Sequence, residues 1–188
     1  SLAAGSIPAD IPGIETNGRV IAHSFDPVDF GIDRNDATAF GMESSLTLVS
    51  MGNPHVVIFC SDVDAAPLDR LGPIFESHAW FPNRINLHFV EVTGPGSVRM
   101  RTWERGSGMT QACGTGACAV CVAGVLEGRV TSPLEAMLPG GRLRLDWTGN
   151  SGDSVSMSGP AAEVFECDID LTALAVEEAG DDRQELTI

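Results

Sequence analysis

From Leu46 onward the chain alternates short apolar runs with turn residues. LTLVS, GNP and HVVIFC read as strand, turn and strand. Both runs are nearly continuously apolar, which marks strands covered on both faces. Residues 64–80 carry Leu68, Leu71, Ile74 and Phe75 at helical spacing, interrupted by Pro67 and Pro73. NLHFVEV and VRMRTWE are strand-like around a TGPGS turn. In the second run Val98 and Met100 point one way, and Arg99, Arg101 and Trp103 the other. Residues 115–126 predict a helix that opens after Gly114 and ends near Gly128. Small apolar residues cover every face of it, so it is expected to be buried. LEAML, PGG and RLRLDW predict a hairpin with Leu143, Leu145 and Trp147 facing in. VSMS and AEVFECDIDL predict further strands. Residues 1–45 are weakly patterned, with short strands expected at 20–22 and 28–30. The end, EEAGDDRQE, reads as solvated. Together these elements give an α+β class: a mostly antiparallel sheet wrapped around a buried central helix.

Composition narrows the function. A chain of 188 residues fits one domain, or a domain with an appendage, and can bury a sizeable core. A formal charge of −15 repels phosphate backbones and anionic membranes, so nucleic acid and membrane partners are not expected. No run reaches the ~18 apolar residues that span a bilayer. SLAAGSIPAD has neither the basic nor the apolar region of a signal peptide. It also lacks an initial Met, and the native N-terminus is expected elsewhere. Five cysteines (Cys60, Cys113, Cys118, Cys121 and Cys167) at irregular spacing argue against a disulfide framework. Free thiols in a cytoplasmic protein are the expectation.

The candidate chemistry centres on ACGTGACAVC, residues 112–121. Cys113 precedes Gly114, Thr115 and the start of the central helix. Unpaired helix-start N–H groups suit a carboxylate and are expected to lower a thiol's pKa. A buried small hydrophobe is the alternative reading of Cys113. Cys118 and Cys121 lie inside the helix without further soft ligands nearby, and read as filler; no metal is expected. SMGNPHVV puts Asn53 and His55 at a turn between two apolar strands, where His55 can act as acid, base or base-tuner. RTWERGSG ends a strand on Glu104 and Arg105, and Arg105 can clamp a carboxylate there or form a surface ion pair. The two serve one site only if the strand bends, which Gly106 permits. Asn86 is not interpretable by itself. His23, His78 and His88 show no constellation and read as surface or core residues.

SMGNPHVVIF, FPNRINLHFVEV, RTWERGSGMTQACGTGACA and LPGGRLRLDW, in that order, resemble the C-terminal half of diaminopimelate epimerase. The resemblance runs from about residue 14 to about residue 171. It implies a cofactor-independent epimerase that interconverts LL- and meso-diaminopimelate for lysine and peptidoglycan synthesis. In that family two cysteines act on opposite faces of the α-carbon. Cys113 matches one of them. Gly114 and Thr115 match the amides that hold the α-carboxylate, and Asn53, Asn86 and Arg105 match residues that hold the distal end. His55 and Glu104 match side chains beside the cysteine pair. Met109, Ile85 and His88 depart from the family pattern. The other cysteine belongs to an N-terminal half with a CGNG-type motif that this chain lacks. The resemblance thus implies one of two pseudo-symmetric halves, with the N-terminal half as partner, a homodimer as a possible assembly, and no turnover by this chain alone. Residues 1–13 are then a tail or inter-domain remnant, 14–158 the C-terminal epimerase domain, and 159–188 a returning strand and acidic tail. GSGMTQ is expected to be mobile. A related isomerase of the same fold, or a shortened paralogue that binds a small carboxylate, are the alternatives.

Overall fold

A computed structural model describes residues 19–150 and 152–168. The expected tail at 1–13, the acidic end and residues 169–171 lie outside the described residues. Among the described residues nine strands form one mixed sheet: β1 (His23–Ser24), β2 (Ser45–Ser50), β3 (Pro54–Phe59), β4 (Asn86–Gly94), β5 (Ser97–Glu104), β6 (Gly108–Thr110), β7 (Leu134–Leu138), β8 (Gly141–Asp146) and β9 (Ser156–Ser158). The helices are α1 (Arg34–Ala39), α2 (Leu68–Glu76) and α3 (Gly114–Leu126). In space the strands run β1-β2-β3-β4-β5-β7-β8-β9, with β6 also paired to β5. Most neighbours are antiparallel, as the hairpin signals predict. β3 with β4 and β5 with β7 are parallel. Parallel neighbours need a long crossover. α2 lies within one crossover and α3 within the other.

The sheet separates two apolar layers. β3 is buried from His55 to Phe59, matching its unbroken apolar run. Val56 and Ile58 face a layer with Leu68, Leu71 and Phe75 of α2 and the aromatic residues Phe25 and Phe30. Val57 and Phe59 face α3, together with Val90, Val98 and Met100. α3 is buried from Gly116 through Gly124, as an all-apolar helix must be. Each fully buried Val there contributes about 1.5–3 kcal/mol. Small residues set the approach: a Cβ on Gly124 would stand 2.6 Å from Val130 Cγ2.

Three expectations are corrected. Residues 28–30 belong to a 3-10 turn, Pro27–Phe30, not a strand. Asp26 accepts the Val28 N–H at 3.1 Å, Pro27 presets φ, and left-handed Gly31 closes the turn. That side-chain cap outcompetes strand propensity. Residues 20–22 are not a strand either; the two residues after them pair with β2, and Ala22 at φ 48 interrupts any extended run. Residues 162–168 of AEVFECDIDL lie outside any strand and are exposed, with Val164 at 85% and Phe165 at 77%. A strand needs an edge to pair with, and among the described residues β9 is the last that finds one. Within GSGMTQ, Gly108–Thr110 form β6 and pair residue by residue with Thr102–Glu104 of β5. Among the described residues no helix is long and apolar enough to cross a membrane.

Gly72 tests how α2 docks. A Cβ there would meet the Trp103 indole at 2.2 Å. Helix propensity favours Ala over Gly by about 1 kcal/mol. Overpacking costs about 1–3 kcal/mol, and Trp103 is anchored by its Nε1–H donating to Glu76 at 2.7 Å. Gly72→Ala is therefore expected to lower the urea midpoint of unfolding. A raised midpoint would show that the indole shifts freely.

Candidate active site at the start of the central helix

Cys113 is the N-cap of α3, with extended backbone (φ −137, ψ 102), and is 5% exposed. Its Sγ accepts the Gly116 N–H at 3.3 Å and lies 3.7 Å from Thr115 Oγ1. Gly116 is required here for space. A Cβ on it would stand 2.3 Å from His88 Cε1 and 2.9 Å from Cys113 Sγ. At Gly114 the Met157 methyl would be 3.1 Å from such an atom, so β9 crosses the helix start.

A polar row interrupts the apolar face of the sheet beneath this helix end. Strand pairing sets His55 beside Asn86, Val57 beside His88, and His88 beside Thr102. Side chains two apart share a face, so His55, Asn86, His88, Thr102 and Glu104 share the face of Val57, Val90 and Met100, towards α3. His55 Nδ1 and His88 Nε2 are 2.8 Å apart, and His88 Nδ1 is 2.9 Å from Thr102 Oγ1. His55 Nε2 meets Asn53 Oδ1 at 2.9 Å, and Asn53 Nδ2 reaches Thr115 Oγ1 at 3.4 Å. Burial, with the Arg105 charge behind it, lowers the His55 pKa to about 4. Burial also holds His88 well below the usual imidazole range, with His55 adding to the shift.

β5 ends on Glu104, Arg105 follows it, and Gly106 (φ 78) turns the chain. Glu104 Oε1 accepts the Thr110 hydroxyl at 2.5 Å, and this carboxylate faces Cys113. The Arg105 backbone N–H donates to Asn86 Oδ1 at 2.9 Å, while its exposed guanidinium donates through Nη1 to the Asn83 carbonyl at 2.7 Å. Asn86 Nδ2 donates to the Pro54 carbonyl at 2.7 Å. Asn86 thus brackets the start of β3 to the turn after β5. Cys113, Thr115, Asn53 and His55 are thus linked at α3's first turn with Glu104 facing the sulfur, while Asn86 and Arg105 form an adjoining pair held by the Arg105 N–H.

Two residues escaped the sequence reading. His88 was read as lacking a constellation; it is in fact the buried centre of the polar row. The signal was its place within NLHFVEV, an even number of residues from Asn86. Glu76, at the end of α2, accepts from Trp103 Nε1, from the Gly106 N–H at 3.0 Å and from Arg84 at 3.2 Å. The Trp103 hydrogen bond leads the lowering of its pKa. Glu76 fixes the turn that presents Glu104 and Arg105, and nothing local in its sequence announces this.

The expected lowering of the Cys113 pKa is overturned. Burial pushes the thiol up and outweighs the Gly116 N–H and the Thr115 hydroxyl, which pull it down; Glu104 raises it further. The resting group is a thiol. Burial drives Cys60 and Cys121 up to about 12 and raises Cys118 as well, in keeping with packing roles. Among the described residues no cluster of three or more His, Cys, Asp or Glu could hold a metal ion.

The histidine pair predicts a pH dependence. Between pH 4 and 6.5 the unfolded chain binds protons that folded His55 refuses, so stability rises with pH across that window. The contribution is complete above pH 6.5 and lost as pH falls towards 4; for His55 it amounts to roughly 3 kcal/mol. His88 acts in the same direction. Urea midpoints measured from pH 4 to 7 are expected to climb, and the slope to flatten in His55→Gln. An unchanged slope in that variant would remove His55 as the cause.

A family model described as diaminopimelate epimerase matches residues 47–164. The diaminopimelate epimerase of Desulforudis audaxviator is 55% identical over 121 residues, covering 64% of this chain and 43% of that protein. That of Stutzerimonas stutzeri is 43% identical over 160 residues, covering 85% of this chain and 53% of that protein. This chain thus spans about half the length of the curated relatives it matches. Among solved structures, a phenazine biosynthesis protein from Bacillus anthracis aligns at a TM-score of 0.39 with 19% identity, over 55% of this chain and 33% of that one. That likeness carries no weight beside the family match. With well over half its residues matched, this chain belongs to the diaminopimelate epimerase family.

Proposed function

We propose that the chain supplies one half of an active site that epimerises LL- and meso-diaminopimelate, with Cys113 as one of two acid/base thiols. One observation carries the reading: Cys113 caps the N-terminus of α3, where its Sγ accepts the Gly116 N–H and the Glu104 carboxylate faces it. Inverting a carbon centre requires a base on one face and an acid on the other. As thiolate, Cys113 Sγ takes the α-proton. The electron pair left on carbon spreads into the substrate carboxylate, whose charge the amides of Gly114 and Thr115 offset. A second thiol delivers its own proton to the opposite face and becomes the thiolate. In the reverse direction Cys113 is the acid, a role its raised pKa suits. The second thiol comes from a half outside this chain. The exposed Val164 and Phe165 offer apolar surface for that half to cover.

The other residues take supporting roles. Arg105 offers a cation to the distal carboxylate. Asn53 and Asn86 offer amides at the same end. His55 is neutral, with Nε2 against the Asn53 oxygen, so it positions Asn53 and is not itself a base. Glu104 biases the charge on Cys113. The scheme needs no cofactor.

The test is exchange of the α-proton of diaminopimelate with deuterium oxide. This chain is assayed alone and joined to the N-terminal half of a relative. The joined protein is expected to exchange and to invert, and the chain alone to show no turnover. Cys113→Ala is expected to reduce kcat by about 10³-fold or more, against a factor near one for Cys118→Ala. Undiminished exchange in Cys113→Ala would refute the proposal.

A further inference from the structure

The proposed chemistry leaves His88 without a role, yet it is wholly buried and both of its ring nitrogens are engaged. Five consecutive links run from Thr102 through it to Cys113. Thr102 Oγ1 is 2.9 Å from His88 Nδ1, and His88 Nε2 is 2.8 Å from His55 Nδ1. His55 Nε2 is 2.9 Å from Asn53 Oδ1, Asn53 Nδ2 is 3.4 Å from Thr115 Oγ1, and Thr115 Oγ1 is 3.7 Å from Cys113 Sγ.

Burial excludes an imidazolium at either ring, so each ring has one N–H and one lone pair. The hydrogens must then all point one way along the chain, and Thr102 decides which. Thr102 is 3% exposed, and the His88 ring is the one side-chain partner its hydroxyl has among the described residues. A buried hydroxyl hydrogen without an acceptor is costly, whereas a spare lone pair on the same oxygen is tolerated. Thr102 therefore donates to His88 Nδ1. His88 then carries its hydrogen on Nε2 and donates to His55 Nδ1. His55 likewise carries Nε2–H, which donates to the Asn53 oxygen. The Asn53 amide nitrogen donates to Thr115, whose own hydrogen is left to face sulfur. In the opposite direction Thr102 would lose its acceptor, and Thr115 would donate to Asn53 instead of Cys113.

We infer that Thr102, His88, His55 and Asn53 form a one-way hydrogen-bond chain that turns the Thr115 hydroxyl onto Cys113 Sγ, with His88 as the positioning residue at its buried end. The thiolate then accepts two hydrogen bonds, from Thr115 O–H and Gly116 N–H, which offset part of the burial penalty. The charged neighbours are Arg105, which faces His55, and Glu104, which faces Cys113. The inference rests on the proposed function only for the use made of the thiolate; the hydrogen-bond direction does not depend on it.

Nitrogen NMR of the 188-residue chain labelled with 15N-histidine tests the direction without any variant. His55 and His88 are both expected as neutral Nε2–H tautomers near pH 7, with a through-hydrogen-bond coupling between His88 Nε2 and His55 Nδ1. An Nδ1–H tautomer or an imidazolium at either ring overturns the chain. The link to sulfur is read from the rate of Cys113 alkylation by iodoacetamide, mapped by peptide mass spectrometry. His88→Leu is expected to slow it roughly two- to tenfold. His88→Gln, whose amide nitrogen can donate where imidazole Nε2 does, is expected to restore it. No slowing in the Leu variant, or equal slowing in both, overturns that link. Failure of the exchange assay with the NMR pattern intact would remove the epimerase reading and leave this one standing.

Discussion

The parallel pairing of β3 with β4 is the constraint on which the site depends. It places His55 beside Asn86 and Val57 beside His88. Side chains alternate across a sheet, so a slip of β4 by one residue against β3 would send His88 to the opposite layer from His55 and turn an apolar residue such as Leu87 towards Cys113. The apolar content of β3 holds the register, since Val56 and Ile58 fill one layer while Val57 and Phe59 fill the other. Parallel strands cannot pair through a tight turn. α2 occupies the connection, and its last residue, Glu76, returns to hold the turn after β5. The strand pair and the turn that presents Glu104 and Arg105 are thus parts of one packing solution.

At Cys113 two opposing effects meet, and their sizes decide the state of the sulfur. Helix-start N–H groups favour the thiolate, but their influence is confined to the first turn. Burial and the facing Glu104 carboxylate favour the thiol, and together they win. The same burial keeps His55 and His88 uncharged, which lets two imidazoles lie 2.8 Å apart without repulsion. A dry, neutral, hydrogen-bonded floor beneath a thiol gives the sulfur a fixed geometry. Gly116 permits this closeness, since any side chain there would collide with His88 or with the sulfur.

Much of this was legible in the sequence, and the gaps have physical causes. Apolar runs marked β3, α3 and the β7–β8 hairpin because burial on both faces leaves an unbroken pattern. ACGTG and ERG marked the site because glycines and charged residues stand out where strands end. Residues 28–30 were misread because a single Asp26 cap overrode three residues of strand propensity. Residues 162–168 read as a strand because their composition suits one, but pairing requires an edge that composition does not provide. The state of Cys113 was misjudged because the helix start is visible in sequence while the depth of burial is not.

The sequence by itself determined the α+β class and the buried helix, while the candidate residues around Cys113 came from the family resemblance. The class and the helix follow from hydrophobic periodicity, which is a local property. Only the tertiary structure decided that His88 joins His55, that Glu76 braces the turn after β5, and that Cys113 rests as a thiol. Each of these depends on strand register or on burial, and both arise from contacts between segments far apart along the chain.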